Sequence, residues 1–315
     1  VVISARVLQG ITGSAISPNA TAMLRSITDE ETRGRSFGIF DMFISASAAV
    51  GPFIGGLLVG GFGWRSMFLL AAPVARPSRA LVTRMIAADH GEHSVAPRRG
   101  GMLSALKALR AMPFAAAVAG VLGATVVLHG LTVTVPIFTQ TLLGASPQIT
   151  GVLMLPMFAV SSLLAPIGGR LSDRLGRRLP AMAGSLIMAA GLASLWLGTS
   201  SLTALAVAVF LGLVGIGFGS SGPARQTSAI ESIPPEVTGT AASLYLTSRY
   251  IGGVLGASLV GILLGERATF HSAGRAFGSL CLVAVAVTVV SAGLAGRRLK
   301  PDAQQIAGYQ EQAGE

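Results

Sequence analysis

The chain has 315 residues, of which 51% are hydrophobic and only 11% are charged. Soluble domains carry about a quarter charged residues, so this composition excludes an ordinary soluble protein and predicts an all-α membrane protein embedded in lipid. The net charge of +10 does not indicate a nucleic-acid partner, because the basic residues lie in short loops between apolar runs rather than in one polar patch.

Apolar runs long enough to cross a bilayer recur along the chain. They cover 1–24, 37–60, 113–138, 149–169, 180–198, 203–224, 240–264 and 276–296. A further run at 64–83 is shorter, but including it places most of the 23 Lys and Arg residues on one side of the membrane, as the positive-inside rule requires. The loops predicted on that cytoplasmic side are 25–36, 76–112, 170–179 and 225–239. The sequence therefore predicts about nine spans, with the first residue outside and the tail inside.

The polar connection in the middle of the chain predicts a boundary between two helical bundles. The expected units are 1–84 as the C-terminal half of a first bundle with three spans, 85–112 as a cytoplasmic linker, 113–296 as a second bundle of six helices, and 297–315 as a cytoplasmic tail. Residues 1–60 also align without gaps with 206–265, and the alignment matches Gly10 to Gly215 and Pro18 to Pro223. Parallel repeats of this kind are a recurring plan among transporters.

Positions 169–178 read Gly-Arg-Leu-Ser-Asp-Arg-Leu-Gly-Arg-Arg, between two apolar runs. Because these charges cannot enter hydrocarbon, we predict a tight, solvated loop, which the arginines place in the cytoplasm and the glycines allow to turn. The acidic residue among the arginines is positioned to pair with a helix end or a neighbouring loop. The pattern resembles the signature loop of the major facilitator superfamily of secondary transporters. The residues of this predicted gating loop are Gly169, Asp173, Arg174, Gly176, Arg177 and Arg178.

The resemblance implies a major-facilitator-type fold of two six-helix bundles that rock about a central cavity. The expected twelve spans exceed the nine or so found here, and the repeat places the counterpart of Asp173 before Val1. These points predict an N-terminally truncated chain that lacks the first three helices. The resemblance also implies a monomer in the bacterial plasma membrane, with a small-molecule cargo.

The second apolar run contains a Gly-Pro step, which opens the hydrogen-bond ladder of a helix and bends it. The motif formed by Gly51, Pro52, Gly55 and Gly56 resembles the fifth-helix motif of the family's antiporters, although Ser47 stands where the family usually has glycine. The run 249–256 resembles the penultimate-helix region of the same exporters. The resemblance therefore implies proton-coupled efflux of drugs or other small amphipathic compounds.

The candidates for proton coupling or transport are Arg6, Asp41, His129 and Arg249. Arg6 begins an Arg-x-x-Gln-Gly motif that resembles the fourth-helix motif of proton-coupled facilitators, or it reaches the outer interface. Asp41 is a carboxylate within a span, where burial favours a protonatable acid, but pairing with Arg33 or Arg35 at the interface is the favoured alternative. His129 is favoured as a packing residue over a proton carrier. Arg249 could bind an anionic group of the cargo, a phosphate or a loop carboxylate.

Generic polar residues within or beside the spans are candidates for lining a cargo site, namely Asn19, Gln140 and Gln226. The chain has no His/Cys cluster with metal-ligand spacing and no P-loop, so we expect no enzyme activity, no cofactor and no metal. Two alternatives to an exporter stay open. One is an importer or facilitator of sugars or organic acids, against which the kinked fifth helix argues, and the other is a non-transporting membrane remnant.

Overall fold

The computed structural model describes residues 19–63, 65, 69, 112–233, 238–265 and 268–294, with the backbone alone at 49, 51–62, 147 and 238–240. In this part of the chain all regular structure is helical, which confirms the predicted all-α class. The helices are α1 (Arg33–Phe62), α2 (Met112–Ile137), α3 (Pro147–Leu175), α4 (Arg178–Leu197), α5 (Ala204–Glu231), α6 (Thr238–Leu264) and α7 (Phe270–Ser291). Residues 19–27 are also helical, and a π-helical segment, Phe138–Leu142, extends α2.

Six of these helices, α2 to α7, are long and apolar enough to cross a membrane. The predicted total of about nine spans stays a prediction, because 1–18, most of 64–83, 85–111 and 297–315 lie outside the described residues. Arg6 lies in that part as well. Helix α1 is continuous through the predicted kink motif at 51–56, whose side chains are not described.

Short polar side chains begin three of the helices by accepting hydrogen bonds from backbone N–H groups of the first turn. Ser146 accepts from Ile149 at the start of α3, and Thr203 does the same at the start of α5. Thr269 and Ser272 form a reciprocal capping box at the start of α7. These caps fix where the three helices begin.

The apolar core lies among α2 to α7, which we call the six-helix bundle. Phe138 packs edge-on against Phe277, with ring centroids 5.6 Å apart, and Leu131, Leu192 and Leu211 are completely buried around them. Glycines let the helices approach closely, since a Cβ at Gly256 of α6 would overlap the backbone of α2. Close packing through glycine is thus visible in the bundle.

Helix α1 packs outside the six-helix bundle, against α3 and α5. Phe37 is completely buried against Ile230 and Ala242. Further along α1, the hydroxyl of Ser162 donates a 2.9 Å hydrogen bond to the carbonyl oxygen of Met42. These contacts hold one helix of the N-terminal region against the bundle that follows.

Three predicted loops are corrected by the structure. The loop predicted at 25–36 is confined to 28–32, because residues 19–27 are helical and α1 begins at Arg33. Helix α3 continues through Gly169 to Leu175, so the turn predicted at 169–178 is confined to Gly176 and Arg177. Helix α5 continues to Glu231, so the loop predicted at 225–239 begins later. The helices continue into these charged segments because they are longer than the membrane is thick. Helix α3 has 29 residues and extends about 43 Å, well beyond the ~30 Å hydrocarbon layer. A helix can therefore carry charges past the membrane without unwinding.

Candidate functional site

Asp173, near the end of α3, binds the first turn of α1. Its Oδ1 accepts a hydrogen bond from the backbone N–H of Gly34 at 2.9 Å, and its Oδ2 accepts one from the N–H of Arg35 at 2.8 Å. The first N–H groups of a helix have no partner within it, and its N-terminus favours negative charge. Asp173 thus caps a helix that belongs to a distant part of the chain.

The approach of α1 to α3 depends on two glycines that face each other. A Cβ added to Gly169 would overlap the carbonyl oxygen of Gly34, and one added to Gly34 would overlap the carboxylate of Asp173. The next turn, Gly176, has a φ of +86°, which lets the chain leave α3 and enter α4. The glycines therefore set the distance at which Asp173 meets the helix.

Arg177 extends this contact into a charged network. Its guanidinium donates to Oδ1 of Asp173 at 2.7 Å and forms two hydrogen bonds with Glu231, at 2.8 and 3.0 Å. Arg33 approaches the same Glu231 carboxylate at 3.5 Å. We call this set, Arg33, Gly34, Arg35, Asp173, Arg177 and Glu231, the junction, because it joins α1 to α3 and α5.

The charge of Arg177 is held firmly by its partners. Burial lowers the pKa of this guanidinium, but hydrogen bonds and charge interactions with Glu231 and Asp173 outweigh that effect and raise the pKa above its usual value. The side chain is almost fully buried, in contrast to Arg170, Arg174 and Arg178 around it, which are exposed. One arginine of the motif is therefore structural, while its neighbours face outward.

A cavity lies between α1 and the six-helix bundle, further along α1 from the junction. Asp41 of α1 faces it, about 10 Å along the helix axis from Gly34. Arg225 and Gln226 of α5 and Tyr245 and Arg249 of α6 line the same space. The complete lining is Asp41, Ser45, Val121, Ala124, Ser161, Ala165, Phe218, Gly219, Gly222, Arg225, Gln226, Tyr245 and Arg249. Among these described residues the charged groups are one carboxylate and two guanidiniums.

Arg225 is the largest fully buried side chain of the described residues, with 1% exposure. It donates to the hydroxyl of Ser185 at 3.3 Å, and its Nε has no hydrogen-bond partner among the described residues. Its stem lies where Gly120 of α2 leaves room, since a Cβ there would be 2.9 Å from Cδ of Arg225. A cation this buried depends on interactions with opposite charge, and Arg225 has such an interaction with Asp41 across the cavity.

The structure separates the predicted transport residues. Asp41 and Arg249 line the cavity together, and the favoured pairing of Asp41 with Arg33 or Arg35 is not seen, because Asp41 faces the cavity while Arg33 approaches Glu231 at the junction. His129 lies on α2 outside the cavity lining, with Nδ1 3.1 Å from the carbonyl oxygen of Thr125. It packs over Gly253 of α6.

The predicted cargo-lining residues also fall in different places. Gln226 is buried at 2% exposure and lines the cavity. Gln140 is exposed on the π-helical segment at the end of the bundle opposite the junction, and Asn19 is exposed at the start of the described helix 19–27. Of the three candidates, Gln226 is the one that a cargo in the cavity would meet.

Sequence reasoning missed Arg225, Tyr245 and Glu231. Hydropathy ends the fifth helix of the described part near residue 224, because Arg-Gln-Thr-Ser follows, and this polar stretch reads as a loop. In the structure, residues 225–230 are all buried. Nothing in the composition of this stretch distinguishes a buried polar helix end from a solvated loop.

The sequence profile described as Major Facilitator Superfamily matches residues 1–257. The chain belongs to the Major Facilitator Superfamily. It is therefore a transporter and a multi-pass membrane protein, similar to transporters of bacterial membranes.

Several curated bacterial members of the superfamily are similar over most of the chain. The uncharacterized MFS-type transporter YwoD of Bacillus subtilis is 26% identical, over 84% of this chain and 70% of its own length. The multidrug resistance protein Stp of Mycobacterium tuberculosis is 27% identical, over 84% of this chain and 59% of its own length. The methylenomycin A resistance protein of Streptomyces coelicolor is 26% identical, over 94% of this chain and 72% of its own length. The chain thus spans between about three fifths and three quarters of these relatives.

Proposed function

We propose that this superfamily member is a proton-coupled exporter of drugs or other small amphipathic compounds, working by alternating access about the cavity. The observation that carries the proposal is the placement of Asp41 on α1 opposite Arg225 and Arg249 on the six-helix bundle. Asp41 becomes neutral when its carboxylate binds a proton, whereas the arginines stay protonated and charged. A proton at this one side chain therefore changes the attraction between the two sides of the cavity.

The direction of that change follows from charge alone. When Asp41 is ionised, it interacts favourably with both guanidiniums and holds α1 toward α5 and α6. When Asp41 is protonated, two cations of the six-helix bundle face the cavity without a counter-charge from α1. The first state favours a closed cavity and the second favours separation, which is the two-state element that a coupled transporter needs.

The junction acts at the predicted cytoplasmic end of the same helices. Its hydrogen bonds hold α1 against α3 and α5. In this proposal the junction closes the cytoplasmic end of the transport path. Opening toward the cytoplasm would require Asp173 to leave the amides of Gly34 and Arg35. Gly51 and Pro52 lie further along α1 than the junction and Asp41. In this proposal the predicted bend at these residues limits the leak of protons through the transporter.

The names of the relatives support a drug or antibiotic as cargo, since Stp is named for multidrug resistance and another relative for methylenomycin A resistance. Protons, the lipid bilayer and a small-molecule cargo are then the partners of a monomeric protein. Sugars or organic acids taken up by an importer remain the competing cargo class. A non-transporting remnant is the other competitor.

Proteoliposomes that contain the chain and an enclosed pH-sensitive dye test the proposal, with methylenomycin A as the probe cargo. We expect the probe to cause a proton flux that is absent from protein-free liposomes and from Asp41→Asn. Asp29→Asn, which removes an exposed carboxylate before α1, is the matched control and should retain the flux. A flux of equal size in Asp41→Asn, or no flux with any antibiotic while labelled sugars are taken up, would overturn the proposal.

A further inference from the structure

Exposed side chains on α1 and α3 change from apolar to basic towards the junction. On α1, the exposed Phe43 and Ile39 are followed, one turn at a time, by Arg35, which is also exposed. The exposed residues of α3 at the matching helical spacing are Leu163, Ile167, Arg170 and Arg174. On an exposed face of a membrane helix, such a change marks the depth at which hydrocarbon gives way to headgroups. The three arginines therefore lie at headgroup depth.

The two exposed faces border one groove. A Cβ added to Gly169 of α3 would lie 3.0 Å from the Cα of Arg35. The Cα atoms of Arg35 and Arg170 are thus within about 9 Å of each other. On the other side of this contact, Phe37 of α1 is buried against α5 and α6, and Gly168 of α3 meets the backbone of α5. Because successive residues of a helix are turned by about 100°, both exposed faces lie on the side of the contact between α1 and α3 that is away from α5. We call the space between these two faces the outer groove.

The guanidiniums of the outer groove carry positive charge that the described residues leave uncompensated. Within the described part of the chain, the ion pairs are formed by other arginines, and none includes Arg35, Arg170 or Arg174. The side chains of these three arginines also donate no hydrogen bond to a described residue. The nearby carboxylate of Asp173 is already engaged by Arg177 and by backbone N–H groups. Three such cations at headgroup depth favour an anion from outside the chain.

The chemistry of the outer groove matches a phospholipid. Arginine presents N–H donors in a planar fork that suits phosphate oxygens, and arginines of two neighbouring helices can share one phosphate. The exposed apolar residues next to them in each helix need acyl chains as neighbours, which a free phosphate or an acidic protein does not supply. A zwitterionic headgroup brings its own cation close to the arginines, whereas a headgroup with a net negative charge does not.

We propose that the outer groove binds an anionic phospholipid whose phosphate bridges Arg35 of α1 and Arg170 of α3. Arg174, one turn further along α3, contacts the rest of the headgroup, and the acyl chains lie along the exposed apolar residues of both helices. The bridge holds α1 against α3 beside Asp173, so the bound lipid stabilises the junction. This inference concerns the membrane around the transporter and does not depend on the cargo or on proton coupling.

Lipid binding is measured by native mass spectrometry of the chain released from detergent micelles. The probes are dioleoylphosphatidylglycerol, which is anionic, and dioleoylphosphatidylcholine, which has the same acyl chains and a zwitterionic headgroup. We expect the anionic lipid to bind about ten times more tightly, since each arginine near a headgroup contributes several-fold to the affinity for negative charge.

Variants assign that preference to the outer groove. Arg35→Gln and Arg170→Gln should each weaken binding of phosphatidylglycerol by about fivefold and leave binding of phosphatidylcholine unchanged. Arg275→Gln is the matched control, because Arg275 is exposed near the start of α7, at the opposite end of the bundle, and this variant should keep the full preference. Without added lipid, Arg170→Gln should unfold at the temperature of the unchanged protein, which separates loss of the site from loss of the fold.

A second measurement tests the link between the lipid and the junction. Phosphatidylglycerol should slow hydrogen–deuterium exchange of the backbone N–H groups of Gly34 and Arg35 several-fold, because a lipid bound across α1 and α3 opposes their separation. Phosphatidylcholine should not slow this exchange. In Arg170→Gln, the two lipids should have the same effect on it.

The outcomes that contradict the proposal are distinct. Equal affinities for the two lipids, or the same loss of affinity in Arg275→Gln as in Arg170→Gln, would overturn the lipid site. Displacement of phosphatidylglycerol by inorganic phosphate would also overturn it, by showing that the groove binds a free anion. Exchange at Gly34 and Arg35 that phosphatidylglycerol leaves unchanged would overturn the stabilising role. These results leave the proton flux in proteoliposomes untouched, so a failure of this inference is distinguishable from a failure of the proposed function.

Discussion

The carboxylate of Asp173 accepts a 2.8 Å hydrogen bond from the backbone N–H of Arg35, a residue 138 positions earlier in the chain. The same carboxylate binds the N–H of Gly34, so two backbone donors of the first turn of α1 are satisfied by another helix. Because α1 has no acidic residue of its own in that turn, its N-terminus depends on Asp173 for a counter-charge. Any movement that separates α1 from α3 exposes these amides.

Replacing Asp173 with asparagine should weaken its hydrogen bonds to α1 while keeping the size of the side chain nearly unchanged. Asp173→Asn removes the charged acceptor, and hydrogen bonds to charged groups are worth about 1.5–3 kcal/mol. We expect hydrogen–deuterium exchange at Gly34 and Arg35 to accelerate by about tenfold or more. Asp29→Asn, which changes an exposed carboxylate close in sequence, is the control and should leave exchange unchanged. Equal exchange in both variants would show that Asp173 does not hold α1.

Breaking the pair between Arg177 and Glu231 should destabilise the fold. Arg177→Gln and Glu231→Gln each leave a charged partner in a largely buried place, which costs about 3 kcal/mol. Glu231→Gln should cost at least as much as Arg177→Gln, because Arg33 also loses its partner. Thermal unfolding in detergent measures these changes in the free energy of unfolding.

A double variant and a change at an exposed arginine test whether the loss of stability comes from the direct interaction of Arg177 with Glu231. Because the two side chains interact directly, Arg177→Gln with Glu231→Gln should cost less than the sum of the single changes. Arg170→Gln removes an exposed arginine of the same motif and should change stability by about 0.5 kcal/mol or less. Additive losses, or an equally large loss in Arg170→Gln, would contradict a specific role for the pair.

Local chemistry made part of the junction predictable from sequence. A charged segment between apolar runs must lie at a membrane surface, and an aspartate among arginines is positioned to bind a helix end, which Asp173 does. The partner of Asp173 could not be predicted, because Gly34 and Arg35 are distant in sequence and bind it through backbone N–H groups, which the sequence does not distinguish from any others. The backbone of Gly169 meets that of Gly34 only once α1 and α3 are packed.

The cavity was harder to predict, and the reason is the hydropathy signal itself. Asp41 stood out because it is a lone carboxylate in an apolar run, and Arg249 stood out for the same reason. Arg225 lies where the apolar run stops, so its charge read as the start of a loop. Only packing against Gly120 and Ser185 buries it, and that packing is a tertiary property that composition does not record.

The close approach of α1 and α3 should not tolerate a methyl group at Gly169. Gly169→Ala places a Cβ against the carbonyl oxygen of Gly34, so the helices must separate and Asp173 must lose its contact. We expect faster hydrogen–deuterium exchange at the start of α1 and a stability loss of about 1–3 kcal/mol. The measurement combines exchange with thermal unfolding.

Gly151 provides a control within the same helix. It lies on α3 with nothing within 4 Å of an added Cβ, so Gly151→Ala should be neutral or stabilise the helix by up to about 1 kcal/mol. The two variants make the same chemical change, and they differ in the neighbour that the methyl group meets. If Gly169→Ala behaved like Gly151→Ala, the backbone contact between α1 and α3 would not limit their approach.

Arg225 should be needed for transport but not for stability. Arg225→Met fills a similar volume and removes a buried cation whose Nε has no partner among the described residues. Replacing a buried charged group with an apolar one is often neutral or stabilising, by about 1 kcal/mol or more. Asp41 is not left without an opposite charge by this change, because Arg249 lines the same cavity. We therefore expect an unchanged or higher Tm together with at least a tenfold smaller cargo-dependent proton flux. Arg275→Met, on the exposed face of α7, should change neither quantity. A lower Tm with an intact flux would assign Arg225 to the fold and not to the transport site.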